Sequence, residues 1–192
     1  MESNLPFNLL IHKISDVFSN ENDEKLLELK TFLLKHNCLV IDPFKSVEKI
    51  FSRIESEKLL ERCGATVPKS NSNMEDWNIF PSIIKPNKTV FNPQSHQMKV
   101  IHSPLDVPQE RMFIQELIPH DGRLFKVYAI GCNFDVVCRN SISLSTQSAF
   151  EFNSQNLSKQ NIPFIKSCID FDKIAEIVQR IVLDCVLNFS YQ

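Results

Sequence analysis

Apolar residues along the first third of the chain change their spacing several times. Residues 7 to 14, FNLLIHKI, are a nearly continuous apolar run closed by His12 and Lys13, the pattern of a buried strand whose exit carries two basic groups. From Asp23 to Lys35 the residues Leu26, Leu27, Leu29, Phe32, Leu33 and Leu34 recur at helical spacing, with Asn22 or Asp23 placed to cap the start. Cys38 to Ile41, CLVI, predicts a second short buried strand, so the chain opens as β-α-β. Asp42-Pro43 predicts a helix start, because Asp caps and Pro tolerates the first turn. Val47, Ile50, Phe51 and Ile54 then mark one helical face, and a further helix through Leu59 and Leu60 stops near Gly64.

Residues 65 to 80 hold Pro68, several Asn and Ser, and Trp77, a loop composition that marks a candidate domain boundary. Beyond Phe80 the period shortens to that of strands: SIIK (82 to 85), QMKVI (97 to 101), MFIQEL (112 to 117), LFKVYAI (124 to 130) and FDVVCR (134 to 139). Gly131-Cys132-Asn133 fits a hairpin turn between the last two. A polar segment from Asn140 to Gln160 follows. Asp170 then caps a helix with Phe171, Ile174, Val178, Ile181, Val182 and Cys185 on one face. The expected fold is α/β: an N-terminal unit over 1–64, a linker over 65–80, and a largely antiparallel domain over 81–192 closed by a helix.

Composition narrows the functional classes. The chain has 192 residues, 43% hydrophobic and 23% charged, with 21 Lys+Arg against 23 Asp+Glu. A net charge of −2 gives no general attraction to nucleic acid or an anionic membrane, so a polyanion must be met locally. No apolar run approaches the roughly 20 residues of a membrane span, and MESNLPFNLL lacks a basic segment ahead of its apolar stretch, so a cytoplasmic protein is expected. The six cysteines form no CxxC pair and suggest neither a zinc knuckle nor a disulfide scaffold. Glycine is the most restrictive count. Three glycines, no two close together, cannot write a dinucleotide-binding GxGxxG, a P-loop or a GxSxG elbow, so phosphate would have to be held by Lys, Arg, Ser and backbone amides.

Several side chains fit that task. Lys85 ends the run PSIIK, where an ammonium can meet a phosphate or sit as a solvated strand end. Lys126 alternates with Phe125, Val127 and Ala129, which places it off the core face, and Arg139 lies on the next strand. Cross-strand cations with no carboxylate opposite repel unless an anion lies between them. His96, in Gln94-Ser95-His96-Gln97-Met98, can donate to phosphate or cap a loop, and Ser141, Ser154 and Ser158 fall in a polar segment.

Together these pieces resemble the inositol 1,3,4-trisphosphate 5/6-kinase family, also called inositol-tetrakisphosphate 1-kinases, which have the ATP-grasp fold. The resemblance runs from about Phe7 to Leu187. It is carried most strongly by FIQELIPHDGRLFKVYAIGCNFDVVCRNSISL (113 to 144), with support from LLIHKISDV (9 to 17), VIDPFKSVEKIFSRIESEKLL (40 to 60), SHQM (95 to 98) and FNSQNLSK (152 to 159). It implies ATP-dependent phosphorylation of an inositol polyphosphate by a monomeric, cytoplasmic kinase that uses Mg²⁺, with no nucleic acid or membrane partner. By the same resemblance Arg53 and Lys85 lie on the nucleotide side and Gln115, Glu116 and Ile118 form the adenine hinge. Lys126 is the catalytic lysine between ATP and substrate. His96, Arg139 and Lys13 contact substrate phosphates, while Ser141, Ser154 and Ser158 line the nucleotide site. An ATP-grasp carboxylate-amine ligase is the weaker match, since nothing resembles its carboxylate site. Three features depart from the family pattern: residues 87 to 93 lack its phosphate-loop glycine, its metal-holding Asp and Asp-x-Asn strands have no counterpart after Leu187, and its N-terminal strand and helix, which supply a further substrate lysine, have none ahead of Phe7. The chain therefore resembles the middle of the kinase. No metal ligand is assigned, and poor turnover is expected, with a non-catalytic inositol-phosphate- or nucleotide-binding fragment or isoform as the alternative.

Overall fold

The computed structural model describes residues 8–12, 24–36, 38–87, 93–108, 112–143 and 148–187. The N-terminal part is β-α-β as expected: β1 (Leu9–Ile11), α1 (Glu24–Lys35) and β2 (Leu39–Ile41), the strands parallel with Leu9 opposite Leu39. The strands are not buried, however. Leu9, Ile11, Leu39 and Ile41 share one face and stay 40%, 72%, 65% and 44% exposed, because a single crossover helix can cover only the other face of a two-stranded sheet. Of the apolar stripe on α1 only Leu33 is buried; Leu27 and Leu34 are exposed.

The helical face expected across Val47 to Ile54 is divided between α2 (Phe44–Lys49) and α3 (Arg53–Arg62). Asp42 does not cap α2. It sits in the left-handed region at φ 59, its carbonyl close to the ring of His12, and Pro43 occupies the cap position without a side-chain bond. Helix α3 begins at Ser52, whose hydroxyl accepts the Glu55 N–H, and ends where Gly64 turns the chain at φ 85.

The remaining strands are β3 (Ser70–Asn71), β4 (Ser82–Lys85), β5 (Gln97–Ile101), β6 (Phe113–Glu116), β7 (Arg123–Ile130), β8 (Asn133–Asn140), β9 (Phe150–Asn153) and β10 (Asn161–Ile162). They form a five-stranded antiparallel sheet in the order β3-β6-β4-β5-β9 and a three-stranded one in the order β10-β8-β7. Residues 65–80, expected as a loop, supply β3 to the larger sheet and Trp77 to its core. The polar segment 140–160 likewise contains β9. Both strands were hidden in sequence by Asn, Ser and Glu at an edge, where one face needs no apolar residue.

Alternation sorts the larger sheet into two apolar layers. Ile84, Ile101 and Ile114 pack with Trp77 on one face, and Ile83 and Val100 pack with Leu117 on the other. The Ser82 hydroxyl, fully buried, donates to the Ile79 carbonyl and accepts from the Trp77 indole, so its polarity is satisfied inside the core. In the smaller sheet Val136 and Cys138 are buried, and Phe134 on the same face stacks on Phe171 at the start of α4 (Phe171–Leu187). The expected cap of α4 is present, with the Asp170 carboxylate accepting the Lys173 N–H at 2.8 Å.

Candidate functional site

Helix α3 lies over the end of β4 and β6 and borders an open cleft of about 160 Å³ lined by Arg53, Ser56, Glu57, Leu60, Lys85, Phe113 and Gln115. The four helical residues follow i, i+3, i+4, i+7 spacing and so share one face. The register places Lys85 opposite Phe113 and Ile83 opposite Gln115, which sets Lys85 and Gln115 diagonally on the same sheet face. The Lys85 ammonium donates to the Gln115 side-chain carbonyl at 2.6 Å. The Gln115 amide donates to the Glu57 carboxylate, which also accepts from the Ser70 hydroxyl. Arg53 donates to the Pro86 carbonyl at 2.9 Å and to the Ser95 carbonyl at 3.4 Å.

The cleft is short of anions. Burial, reinforced by the Arg53 guanidinium and opposed by Glu57, lowers Lys85 from its usual 10.5 to about 8. Burial also lowers Arg53. Two desolvated cations facing one carboxylate make a place where an added anion is electrostatically favoured.

Lys126 and Arg139 occupy the smaller sheet. Leu124 pairs with Arg139 and Lys126 with Val137, so Lys126 and Arg139 are diagonal neighbours on one face. That face is opposite the one carrying the buried Val136 and Cys138, in keeping with the alternation in the sequence. Asp135 occupies the other diagonal position, so the face is not free of carboxylates as its sequence pattern suggests. The Arg139 guanidinium lies 5.8 Å from the centre of the Tyr128 ring, and its Nε donates to Asn161. Neither Lys126 nor Arg139 is among the residues that line the Lys85 cleft; they sit on the smaller sheet and Lys85 on the larger.

The other expected residues divide similarly. His96 meets Ser154 at 3.3 Å and adjoins Ser95, whose carbonyl receives Arg53. Ser158 is exposed, and its hydroxyl accepts a local bond from the Gln160 N–H. Lys13 lies outside the described residues. Along the hinge, the Glu116 N–H is used by the Lys69 carbonyl and the Leu117 N–H by the Pro81 carbonyl. Ser141 is held at 2.8 Å by His120, whose other ring nitrogen is 2.9 Å from the Ile118 carbonyl. Bonding to that carbonyl requires a proton on Nδ1, which leaves Nε2 to accept the Ser141 hydroxyl. Sequence reasoning missed Glu57 and His120. The signal for Glu57 was its place one turn from Arg53 on α3; that for His120 was its position in the Pro-His-Asp-Gly turn joining two strands.

Among the described residues no three His, Cys, Asp or Glu side chains gather into a set that fits a metal ion. Mg²⁺ takes only one or two protein carboxylates beside phosphates and water, and Glu57 is the one carboxylate in the lining of the Lys85 cleft.

A model of the inositol 1,3,4-trisphosphate 5/6-kinase ATP-grasp domain matches residues 57–188. The inositol-tetrakisphosphate 1-kinase of Danio rerio is 26% identical, covering 88% of this chain and 51% of the relative. That of Xenopus laevis is 22% identical over 94% of this chain and 53% of the relative. An Arabidopsis thaliana inositol-tetrakisphosphate 1-kinase 1 is 24% identical, with 89% and 54% covered. The chain thus spans about half the length of the curated relatives it matches. Among solved structures, the ADP complex of purK, an N5-carboxyaminoimidazole ribonucleotide synthetase, superimposes with a TM-score of 0.50 at 13% identity, over 88% of this chain and 46% of that one. The ATP-grasp ligase PsnB complexed with minimal precursor gives 0.51 at 13% identity, over 91% and 63%. At that identity the likeness is one of fold, and the fold is ATP-grasp.

Proposed function

Because the chain belongs to the inositol 1,3,4-trisphosphate 5/6-kinase ATP-grasp family, we propose that it serves ATP-dependent phosphorylation of an inositol polyphosphate ring hydroxyl. The observation that carries this reading is the Lys85–Arg53 cleft, two half-buried cations with one carboxylate between a helix and the ends of two central strands. Lys85 and Arg53 would hold nucleotide phosphates there. The adenine would lie along the hinge, where the Glu116 and Leu117 amides are already engaged, so reading its edge falls to the Glu116 carbonyl and the Ile118 amide. Gln115 orients Lys85, and Ser141 and Ser154, held by His120 and His96, stand on the nucleotide side.

On the exposed face of the smaller sheet, Lys126 is proposed as the catalytic lysine, with Arg139 beside it and His96, at the start of β5 in the larger sheet, as contacts for substrate phosphates. In the reaction, the bond between the γ-phosphorus and the β,γ-bridging oxygen breaks as the ring oxygen bonds to phosphorus. The hydroxyl proton passes to solvent and ADP leaves. Charge spreads over the equatorial oxygens during transfer, and a fixed ammonium such as Lys126 lowers the cost of that charge.

Equilibrium binding of two ligands to the full chain tests this. Lys85→Met is expected to weaken ATP and spare inositol 1,3,4-trisphosphate, while Arg139→Ala does the reverse. Equal losses of both ligands in both variants, or no binding of either ligand by the wild type, would contradict it.

A further inference from the structure

We propose that His120 is a positioning residue that makes Ser141 an acceptor for a ribose hydroxyl, and so a contact that selects ribonucleotides. The inference rests on the nucleotide reading above and deepens it.

A tight turn fixes the ring. Asp121 and Gly122 both take left-handed backbone, at φ 47 and φ 67, and the Arg123 N–H donates to the His120 carbonyl at 2.8 Å. This is the mirror-image turn that an Asp-Gly pair favours, and it sets His120 at the corner between the hinge and β7. The Ser141 N–H donates to the Gly122 carbonyl at 2.7 Å, so the residue that follows β8 is held against the same turn. The imidazole then bridges hinge and smaller sheet, with Nδ1 2.9 Å from the Ile118 carbonyl and Nε2 2.8 Å from the Ser141 hydroxyl.

The placement of the protons decides what Ser141 can meet. A carbonyl only accepts, so Nδ1 carries the ring proton and the neutral imidazole keeps a lone pair on Nε2. The one hydrogen of the Ser141 hydroxyl is committed to that lone pair. Ser141 therefore offers a ligand lone pairs alone. An ionised phosphate oxygen, which also has only lone pairs to offer, is refused, and a ligand group at Ser141 must bring its own hydrogen. ATP carries such hydrogens on the adenine amine and on the 2′- and 3′-hydroxyls of its sugar. With the adenine edge on the hinge the amine faces the Glu116 carbonyl. Ser141 lies one imidazole beyond Ile118, past the end of that hinge, which leaves it the sugar.

Titration of ATP and of 2′,3′-dideoxy-ATP into the full chain reads the contact as the ratio of the two affinities. Ser141→Ala should lower the wild-type preference for ATP by about 2- to 10-fold, the effect of one neutral hydrogen bond. His120→Phe, which leaves the Ser141 hydroxyl free to rotate, should lower it in the same direction. His120→Gln, whose side-chain carbonyl can still take the Ser141 hydrogen, should restore it. Heteronuclear NMR of the imidazole nitrogens at pH 8 needs no variant, and should find the His120 proton on Nδ1. A wild type that binds neither nucleotide overturns the nucleotide reading and this inference together. Binding of both nucleotides with an unchanged ratio in Ser141→Ala or in folded His120→Phe, or a His120 ring protonated on Nε2, leaves that reading standing and overturns this one.

Discussion

Lys85 ties the stability of the fold to the proposed chemistry. Its folded value, about 8, lies below the usual 10.5, so between those two values the unfolded chain holds a proton that the folded chain lacks. Stability toward unfolding should therefore rise as pH climbs from about 8 to about 10.5. Lys85→Met removes that group, and the difference between wild-type and variant urea-unfolding free energies across this window isolates its contribution. The variant is expected to be at least as stable as the wild type at pH 7, where the buried charge is a cost, and to bind ATP roughly 10- to 100-fold more weakly, since a hydrogen bond to a charged group is worth about 1.5–3 kcal/mol. Lys126 presents the opposite case. It lies on an exposed strand, so Lys126→Ala should leave the melting temperature within about 2 °C while weakening the binding of inositol 1,3,4-trisphosphate in an equilibrium titration.

At the scale of elements, what the sequence made legible were the features with a strong local cause. The β7–β8 hairpin was visible because two alternating runs flank Gly131, which adopts φ 56 at the turn. Helix α4 was visible because an Asp cap precedes a regular apolar stripe. Asp170→Ala should lower stability by about 1 kcal/mol, read as a shift of a few degrees in thermal unfolding. Gly64→Ala should also destabilise, because its backbone is left-handed at φ 85, where a Cβ is strained. What escaped depended on distant partners. Strand β3 is two polar residues whose only reason to be extended is the ladder to β6, and β9 is fixed by β5. The burial expected of β1 and β2 failed for a related reason: apolar runs report a tendency to be covered, not whether a cover is present.

For the whole molecule, the antiparallel larger sheet, helix α3 laid over its Lys85 end, and the smaller sheet bearing Lys126 and Arg139 make up the ATP-grasp architecture of the family. Lys85, Arg53, Lys126 and Arg139 were singled out in the sequence through the family resemblance. The placement of Lys85 on one sheet and of Lys126 and Arg139 on the other was not legible there, because it follows from which sheet each strand joins. The central claim is that the Lys85–Arg53 cleft receives nucleotide phosphates. Its most direct test is calorimetric titration of ATP into the wild type and Lys85→Met, in buffers of different ionisation enthalpy, between pH 7 and pH 9. A phosphate beside Lys85 restores its charged form, so the wild type should take up a proton on binding near pH 8 and lose affinity above it, and both effects should vanish in Lys85→Met. Equal affinity and equal proton uptake in the two proteins would contradict the account.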